Sequence, residues 1–252
     1  GWHIECSAMS MKYLGSTFDI HAGAVDLLFP HHEDEIAQSE GATGKPFVKY
    51  FIEGEHLLVD GKKMSKSLGN IYTIRDLEKR GFDPMAFRYF VLGAHYRTQL
   101  NFTWKGIEGS QNALGKLRAF LAELKGSKKH GAPLDKWKKK FEKSLADDLN
   151  VPGALAVLWG LVHSYRKSPE KFAPEEVKAL LLQFDRALGL NLQKGKKFVI
   201  PLAIKTLIEK REALRNEKKW KEADGIREKL ASKGYIIEDT PSGPVIKKKM
   251  EA

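Results

Sequence analysis

The sequence predicts an α/β region, followed by an all-α helical bundle and a small α+β unit at the carboxyl end. Three observations carry that expectation. Over residues 1–100, short strand-like runs alternate with helical stretches, and the run Phe18-Asp19-Ile20-His21 leads through small residues to a carboxylate, Asp26. Over residues 104–190, apolar residues recur at helical spacing, with Leu155, Leu158, Leu161 and Val162 forming one stripe. After Gly195-Lys196-Lys197 come two charged helical patterns and two β-branched runs, Tyr235-Ile236-Ile237 and Val245-Ile246. The expected divisions are 1–100, 101–193 and 194–252.

Residues 1–14 carry apolar side chains at helical spacing and end on Gly15, which suits a helix C-cap. A short buried strand over 18–21 then enters the turn 22–26. In an open α/β sheet, ligands sit beyond the carboxyl ends of the strands, which is where Asp26 falls. In Phe29-Pro30-His31-His32-Glu33-Asp34-Glu35-Ile36-Ala37-Gln38, Pro30 suits a first helical turn and the acids suit its positive end, so a helix is expected over 31–41. There His31 and Glu35 are four apart and share a face. With the Cys6 thiol brought in from the first helix, they would form a zinc ligand set. The same residues also read as a surface ion pair and a small core hydrophobe.

Residues 48–59 read as an extended stretch folded about Gly54, leading into Gly61-Lys62-Lys63-Met64-Ser65-Lys66-Ser67-Leu68-Gly69-Asn70. Three lysines among small and hydroxylated residues suit a mobile loop that closes over a polyphosphate. A solvated basic turn has the same composition. Thr73 is placed to cap a helix over 74–78, and Asp83-Pro84 to open another that carries Met85 to Leu92. Four helices are expected beyond, over 106–124, 134–148, 152–167 and 174–188, with a solvated linker at 126–131. Two more, over 200–216 and 218–232, precede a hairpin that turns through Pro241-Ser242-Gly243.

The 252 residues allow one large domain or two to three smaller ones. No apolar run approaches the roughly 18 residues of a membrane span. Gly1-Trp2-His3 shows neither an initiator Met nor a signal segment, so the start is expected to be an internal point of a longer protein. The single cysteine, Cys6, excludes an intramolecular disulfide and points to a reduced, cytoplasmic compartment. Net charge is +11, and residues 194–252 hold sixteen Lys/Arg against nine Asp/Glu, so +7 of it lies there. That quarter is where a polyanion is expected to dock, although a merely soluble basic surface would look alike.

Several motifs resemble one family. Lys63-Met64-Ser65-Lys66-Ser67 is the complete Lys-Met-Ser-Lys-Ser signature of class I aminoacyl-tRNA synthetases. Gly1-Trp2-His3-Ile4-Glu5-Cys6 and the segment from Phe29 to Gln38 resemble motifs of the cysteinyl-tRNA synthetases, with Asp34 where the family has Asn. His95-Tyr96-Arg97, Leu100-Asn101-Phe102 and Asp147-Asp148-Leu149-Asn150-Val151-Pro152 are similar to later family segments. Departures are the broken glycine run at Ala22, Ala24 and Val25, Phe51 for a Trp, Glu53 for a frequent His, and Ile246 for a Trp that would stack on a base.

The resemblance implies the second half of a class I Rossmann-type catalytic domain, the upstream half lying outside this chain. It implies ATP-dependent activation of cysteine and its transfer to tRNA(Cys), with zinc, ATP and magnesium as cofactors. Cys6, His31 and Glu35 would hold zinc, and Trp2 would line the amino-acid pocket. His21, Asp26 and Lys66 would contact ATP, with Lys63 and Lys66 catalytic. Arg211, Arg215 and Arg227, within a pattern that includes Ala223, Asp224, Ile226 and Leu230, would contact tRNA. The full-length protein is expected to be a cytoplasmic monomer without membrane contact, and the chain by itself inactive. Alternatives are a related ligase that joins cysteine to an amino-sugar, and a non-catalytic RNA-binding protein derived from a truncated synthetase.

Overall fold

In a computed structural model, the structure describes residues 2–126, 131–193, 202–217, 219–240 and 243–248. The chain divides into two compact units, Gly1–Lys196 and Lys197–Ala252. The expected linker residues 127–130, the Gly195-Lys196-Lys197 boundary, the turn residues Pro241 and Ser242, and the Ile246 side chain lie outside the described residues.

The first unit opens with α1 (His3–Leu14), closed by Gly15 at φ 92°, where a side chain would be strained. Strand β1 (Phe18–Ala24) runs three residues past the expected end and pairs in parallel with β2 (Val48–Gly54). Contrary to expectation, β1 is not a buried strand: Phe18 alone is buried, against Phe47. Between them lies α2 (Glu33–Thr43), which begins two residues later than predicted. Pro30 stands in a wide turn, Leu28–His32, in which Phe29 is extended (φ −135°, ψ 132°). That extended residue interrupts the helical path, so both histidines sit on the turn rather than inside the helix.

A second sheet has the order β4 (Lys62–Lys63), β3 (Leu57–Val59), β5 (Leu100–Phe102), with β3 antiparallel to β4 and parallel to β5. Thr73 and Asp76 form a reciprocal cap on α3 (Ile74–Lys79), and Asp83 caps α4 (Pro84–Leu92). Val59, Leu77, Ala86, Phe102 and Ile107 make a core beneath this sheet. Ile107 belongs to α5 (Trp104–Glu123), which joins the region to the bundle of α6 (Asp135–Ala146), α7 (Val151–Lys167) and α8 (Pro174–Leu188). There Leu155, Leu158, Leu161 and Val162 are all buried, as the stripe required.

The second unit pairs α9 (Leu202–Asn216) with α10 (Trp220–Ser232) and the antiparallel strands β6 (Tyr235–Thr240) and β7 (Gly243–Lys248). Ile204, Ile208, Ile226, Leu230 and Ile237 form its core. Among the described residues, no helix is long and apolar enough to cross a membrane.

Candidate metal centre and lysine loop

Helical spacing on α1 presents His3, Cys6 and Ser7 to one side, and α2 packs there. The Ser7 hydroxyl, fully buried, donates to Gln38 Oε1 at 2.9 Å and fixes the contact. Glu35 reaches in from α2 and His31 from the turn before it. The Cys6 sulfur, a His31 ring nitrogen and a Glu35 oxygen all lie within 4.8 Å of one another.

Glu35 is the pivot of this cluster. It is 0% exposed, and its two oxygens have different surroundings. Oε2 is held by His21 Nε2 at 2.6 Å. Oε1 lies 3.3 Å from His31 Nε2 but makes no hydrogen bond. A buried carboxylate oxygen without a hydrogen-bond partner is costly unless something positive completes it. One thiol, one imidazole and one carboxylate around that oxygen match the donors zinc accepts, so the residues present fit the metal. Burial, followed by the negative charge of Glu35, pushes the Cys6 thiol above its ordinary value, so the proton must be driven off by whatever cation binds.

The imidazoles are oriented by neighbours in turn. His31 Nδ1 shares a hydrogen bond of 2.6 Å with His3 Nδ1, and His3 Nε2 lies 3.5 Å from Asp34 Oδ2. His32 Nδ1 is 2.7 Å from Glu53 Oε1 on β2, and His21, His32 and Glu35 also place donor atoms within 4.8 Å of one another. Space for His32 comes from Gly23, where a Cβ would stand 2.5 Å from His32 Cε1. The Trp2 indole packs over His31 with ring centroids 4.2 Å apart, yet remains 56% exposed, so one side of it is free to face a small ligand.

Sequence reasoning missed His3, which lies three residues before Cys6 and was detectable because i, i+3 pairs share a helix face as i, i+4 pairs do. Asp34 and Glu53 appeared only as departures from a motif; here each anchors an imidazole. His21 was expected on a nucleotide; here its Nε2 is bonded to Glu35 Oε2. The strand that carries it leaves its ring against Phe18, Phe47 and Phe51 rather than at an open edge.

Asp26, Lys63 and Lys66 stand outside that bonded cluster, all exposed. The lysine loop has a defined base. Asn70 accepts the Ser65 N–H at 2.9 Å and donates to the Lys63 carbonyl at 3.0 Å, while Asn101 accepts the Gly61 N–H at 2.7 Å. Between these ties, Lys66 projects from a short turn closed by the Gly69 N–H on its carbonyl. Further along, Tyr96 and Arg97 both donate to Asp148, at 2.6 and 2.7 Å, clasping the segment after α4 to the α6–α7 turn.

In the second unit, the expected role of Arg211 needs correction. Its side chain is 1% exposed, with Nη1 on Glu212 Oε1 at 2.6 Å, so it offers no surface to a phosphate. Arg215 is half-buried with its guanidinium 5.5 Å from the Trp220 ring centroid. Arg227, on α10, is exposed.

Comparison with known proteins agrees with this order of parts. Residues 1–112 match the catalytic domain of tRNA synthetases class I (C), residues 140–193 a DALR domain, and residues 199–243 the cysteinyl-tRNA ligase anticodon binding domain. A cysteine–tRNA ligase of Chlamydia felis is 46% identical over 98% of this chain and 55% of its own length. Those of Chlamydia abortus and Protochlamydia amoebophila are 44% and 42% identical over 98% of the chain, and 55% and 54% of their own lengths. The chain thus spans about half the length of these relatives. In fold, it is similar to the LeuRS of Agrobacterium radiobacter K84, solved as a LeuRS–tRNA–LeuAMS ternary complex, with a TM-score of 0.52 at 15% identity over 68% of this chain and 26% of that one.

Proposed function

The chain belongs to the cysteinyl-tRNA synthetase family, and from that premise we propose that its protein is a cysteine–tRNA ligase, of which this part supplies the thiol-binding metal centre, the lysine loop and a tRNA-binding unit. One observation supports the reading above all: Cys6, His31 and Glu35 converge about a buried, unsatisfied carboxylate oxygen although 25 residues separate the first two.

Zinc held by these three residues would supply a soft, thiolate-preferring partner, which separates cysteine from serine where a pocket of fixed size cannot. The chain's own residues do the rest. His21 fixes the angle of the Glu35 carboxylate, His3 fixes the His31 ring, and Trp2 covers the pocket beside it. In the reaction proposed, a cysteine carboxylate oxygen bonds to the α-phosphorus of ATP while the α–β anhydride breaks and pyrophosphate leaves. Lys66, assisted by Lys63, stabilises the charge that collects on the pyrophosphate. Asp26 contacts the adenosine ribose, and magnesium accompanies the ATP phosphates. The terminal ribose hydroxyl of tRNA(Cys) then takes the cysteinyl group, releasing AMP.

The match over 199–243 favours a tRNA acceptor over an amino-sugar. Arg215 and Arg227 are the arginines of the original set left to touch it. The protein works as a cytoplasmic monomer, organised as 1–100, 101–193 and 194–252.

The test is ATP–pyrophosphate exchange by the full-length enzyme, with cysteine or serine. Exchange with cysteine alone, severely slowed in Lys66→Ala at unchanged zinc content, is the expected result. Exchange that ignores cysteine, or a fully active Lys66→Ala variant, would remove the proposal.

A further inference from the structure

A loop of lysines among small residues has no core of its own, so its direction is set by what holds its two ends. Here two asparagines hold them. At the first end, β4 is a two-residue edge strand that meets β3 through Leu58–Lys63 and Val59–Lys62. The turn between the strands is Asp60-Gly61, both left-handed at φ 48° and 74°, as a two-residue hairpin requires. The Asp60 N–H donates to the Phe102 carbonyl at 3.0 Å and continues the β3–β5 ladder. The next N–H, that of Gly61, goes to Asn101 Oδ1 at 2.7 Å, a side chain 40 residues further along the sequence.

Asn70 closes the second end. One amide accepts the Ser65 N–H and donates to the Lys63 carbonyl, so it fixes the backbone on both sides of Met64. Met64 itself packs against the core beneath the second sheet. Among side chains of this length, only asparagine offers an acceptor and a donor side by side; a carboxylate only accepts. Within the loop, Ser65 Oγ accepts the Leu68 N–H at 3.3 Å, and the Lys66 carbonyl accepts the Gly69 N–H at 3.1 Å. Lys66 therefore stands in a turn whose entry and exit are joined by Asn70, on a hairpin whose root is held by Asn101. Asn101 is exposed and Asn70 half-buried, so neither adds much to the core. Their bonds set where the loop points.

We propose that Asn70 and Asn101 are positioning residues that act through Lys66, holding the lysine loop at the angle from which the ammonium meets the leaving pyrophosphate. The inference rests on the ligase reading, which gives Lys66 that task. Charge on the pyrophosphate develops in the transition state, so a misaimed Lys66 slows the chemical step without weakening the hold on cysteine.

The test is the pre-steady-state burst of cysteinyl-adenylate formed by the full-length enzyme at saturating ATP and cysteine. Burst amplitude counts active sites and the rate constant reports the step, so a variant that is merely less folded loses amplitude alone. Asn101→Ala, short of one hydrogen bond, should lower the rate constant about 2- to 12-fold, and Asn70→Ala, short of two, roughly 5- to 150-fold. Asn101→Asp keeps its acceptor and should lose less than Asn101→Ala. Asn70→Asp loses the donor to Lys63 and should be as slow as Asn70→Ala. Each alanine variant is then repeated in Lys66→Ala, where its effect should shrink to within about twofold, because residues that act as a unit are not additive. Unchanged rate constants in both alanine variants, or the same fold loss with and without Lys66, would overturn the positioning role and leave the ligase standing. A wild type that forms no adenylate with cysteine would overturn both.

Discussion

Replacing His3 with Ala should weaken zinc binding without removing a ligand. His31 is buried, and its Nδ1 has His3 Nδ1 as partner at 2.6 Å. Without it, the imidazole keeps Nε2 toward Glu35 but loses what selects its tautomer and ring angle. Residues that orient a metal-bound imidazole are generally worth 10- to 100-fold in metal affinity, or about 1.4 to 2.7 kcal/mol. Asp34 lies one step further out, at 3.5 Å from His3 and half exposed, so Asp34→Asn should cost at most about 1 kcal/mol, or roughly fivefold. Zinc affinity measured by competition with a chromophoric chelator checks the order: wild type tightest, then Asp34→Asn, then His3→Ala. The buried Ser7–Gln38 bond should hold α1 on α2 in every case, which circular dichroism can follow. A His3→Ala variant that binds zinc as tightly as the wild type, or more tightly than Asp34→Asn does, would refute the orienting role.

Three further outcomes follow from named contacts. Gly23→Ala forces a Cβ to within 2.5 Å of the His32 ring, so it should lower stability by about 1 to 3 kcal/mol and disturb the metal centre, as thermal melting and zinc titration would show. Arg211→Leu should destabilise the second unit by about 2 to 3 kcal/mol, less than a fully buried pair because Glu212 is partly exposed, whereas Arg227→Gln should stay within about 0.5 kcal/mol; urea unfolding separates them. Hydrogen bonds from Arg97 and then Tyr96 hold the Asp148 carboxyl below its ordinary value. The stability this contributes should be present above about pH 4, where the unfolded group is ionised, and be lost as pH falls through the lower folded value. Comparing melting temperature against pH for the wild type and Asp148→Asn tests that, since the difference between them should shrink on acidification.

Much of the site was legible because helical spacing is a local property. Thr73 before Ile74 and the Leu155 to Val162 stripe each depend on one element and appear in the structure as read, while His31 and Glu35 still approach to 3.3 Å although His31 stands on the turn before α2. What failed depended on a backbone detail or on packing between elements. Pro30 suits a helix start, but the extended Phe29 before it moved that start to Glu33. Phe18-Asp19-Ile20-His21 looked buried, yet as a strand it covers the core with Phe18 alone. Arg211 and Arg215 enter as tRNA contacts through the family resemblance, which carries no information on burial. Only the folded unit shows that Arg211 is buried while Arg215 lies against the Trp220 ring. The second role of His21 could not be seen because its partner, Glu35, lies fourteen residues on in a different element.

The metal's own environment tests the central claim most directly. Zinc X-ray absorption on the full-length enzyme should show sulfur at about 2.3 Å together with nitrogen and oxygen near 2.0 to 2.2 Å. Added cysteine should raise the sulfur count by one and added serine should leave it unchanged, and Cys6→Ser should remove one sulfur from the resting spectrum. A zinc environment that does not respond to cysteine, or that keeps its full sulfur count in Cys6→Ser, would contradict the assignment of Cys6, His31 and Glu35 as a thiol-binding metal centre.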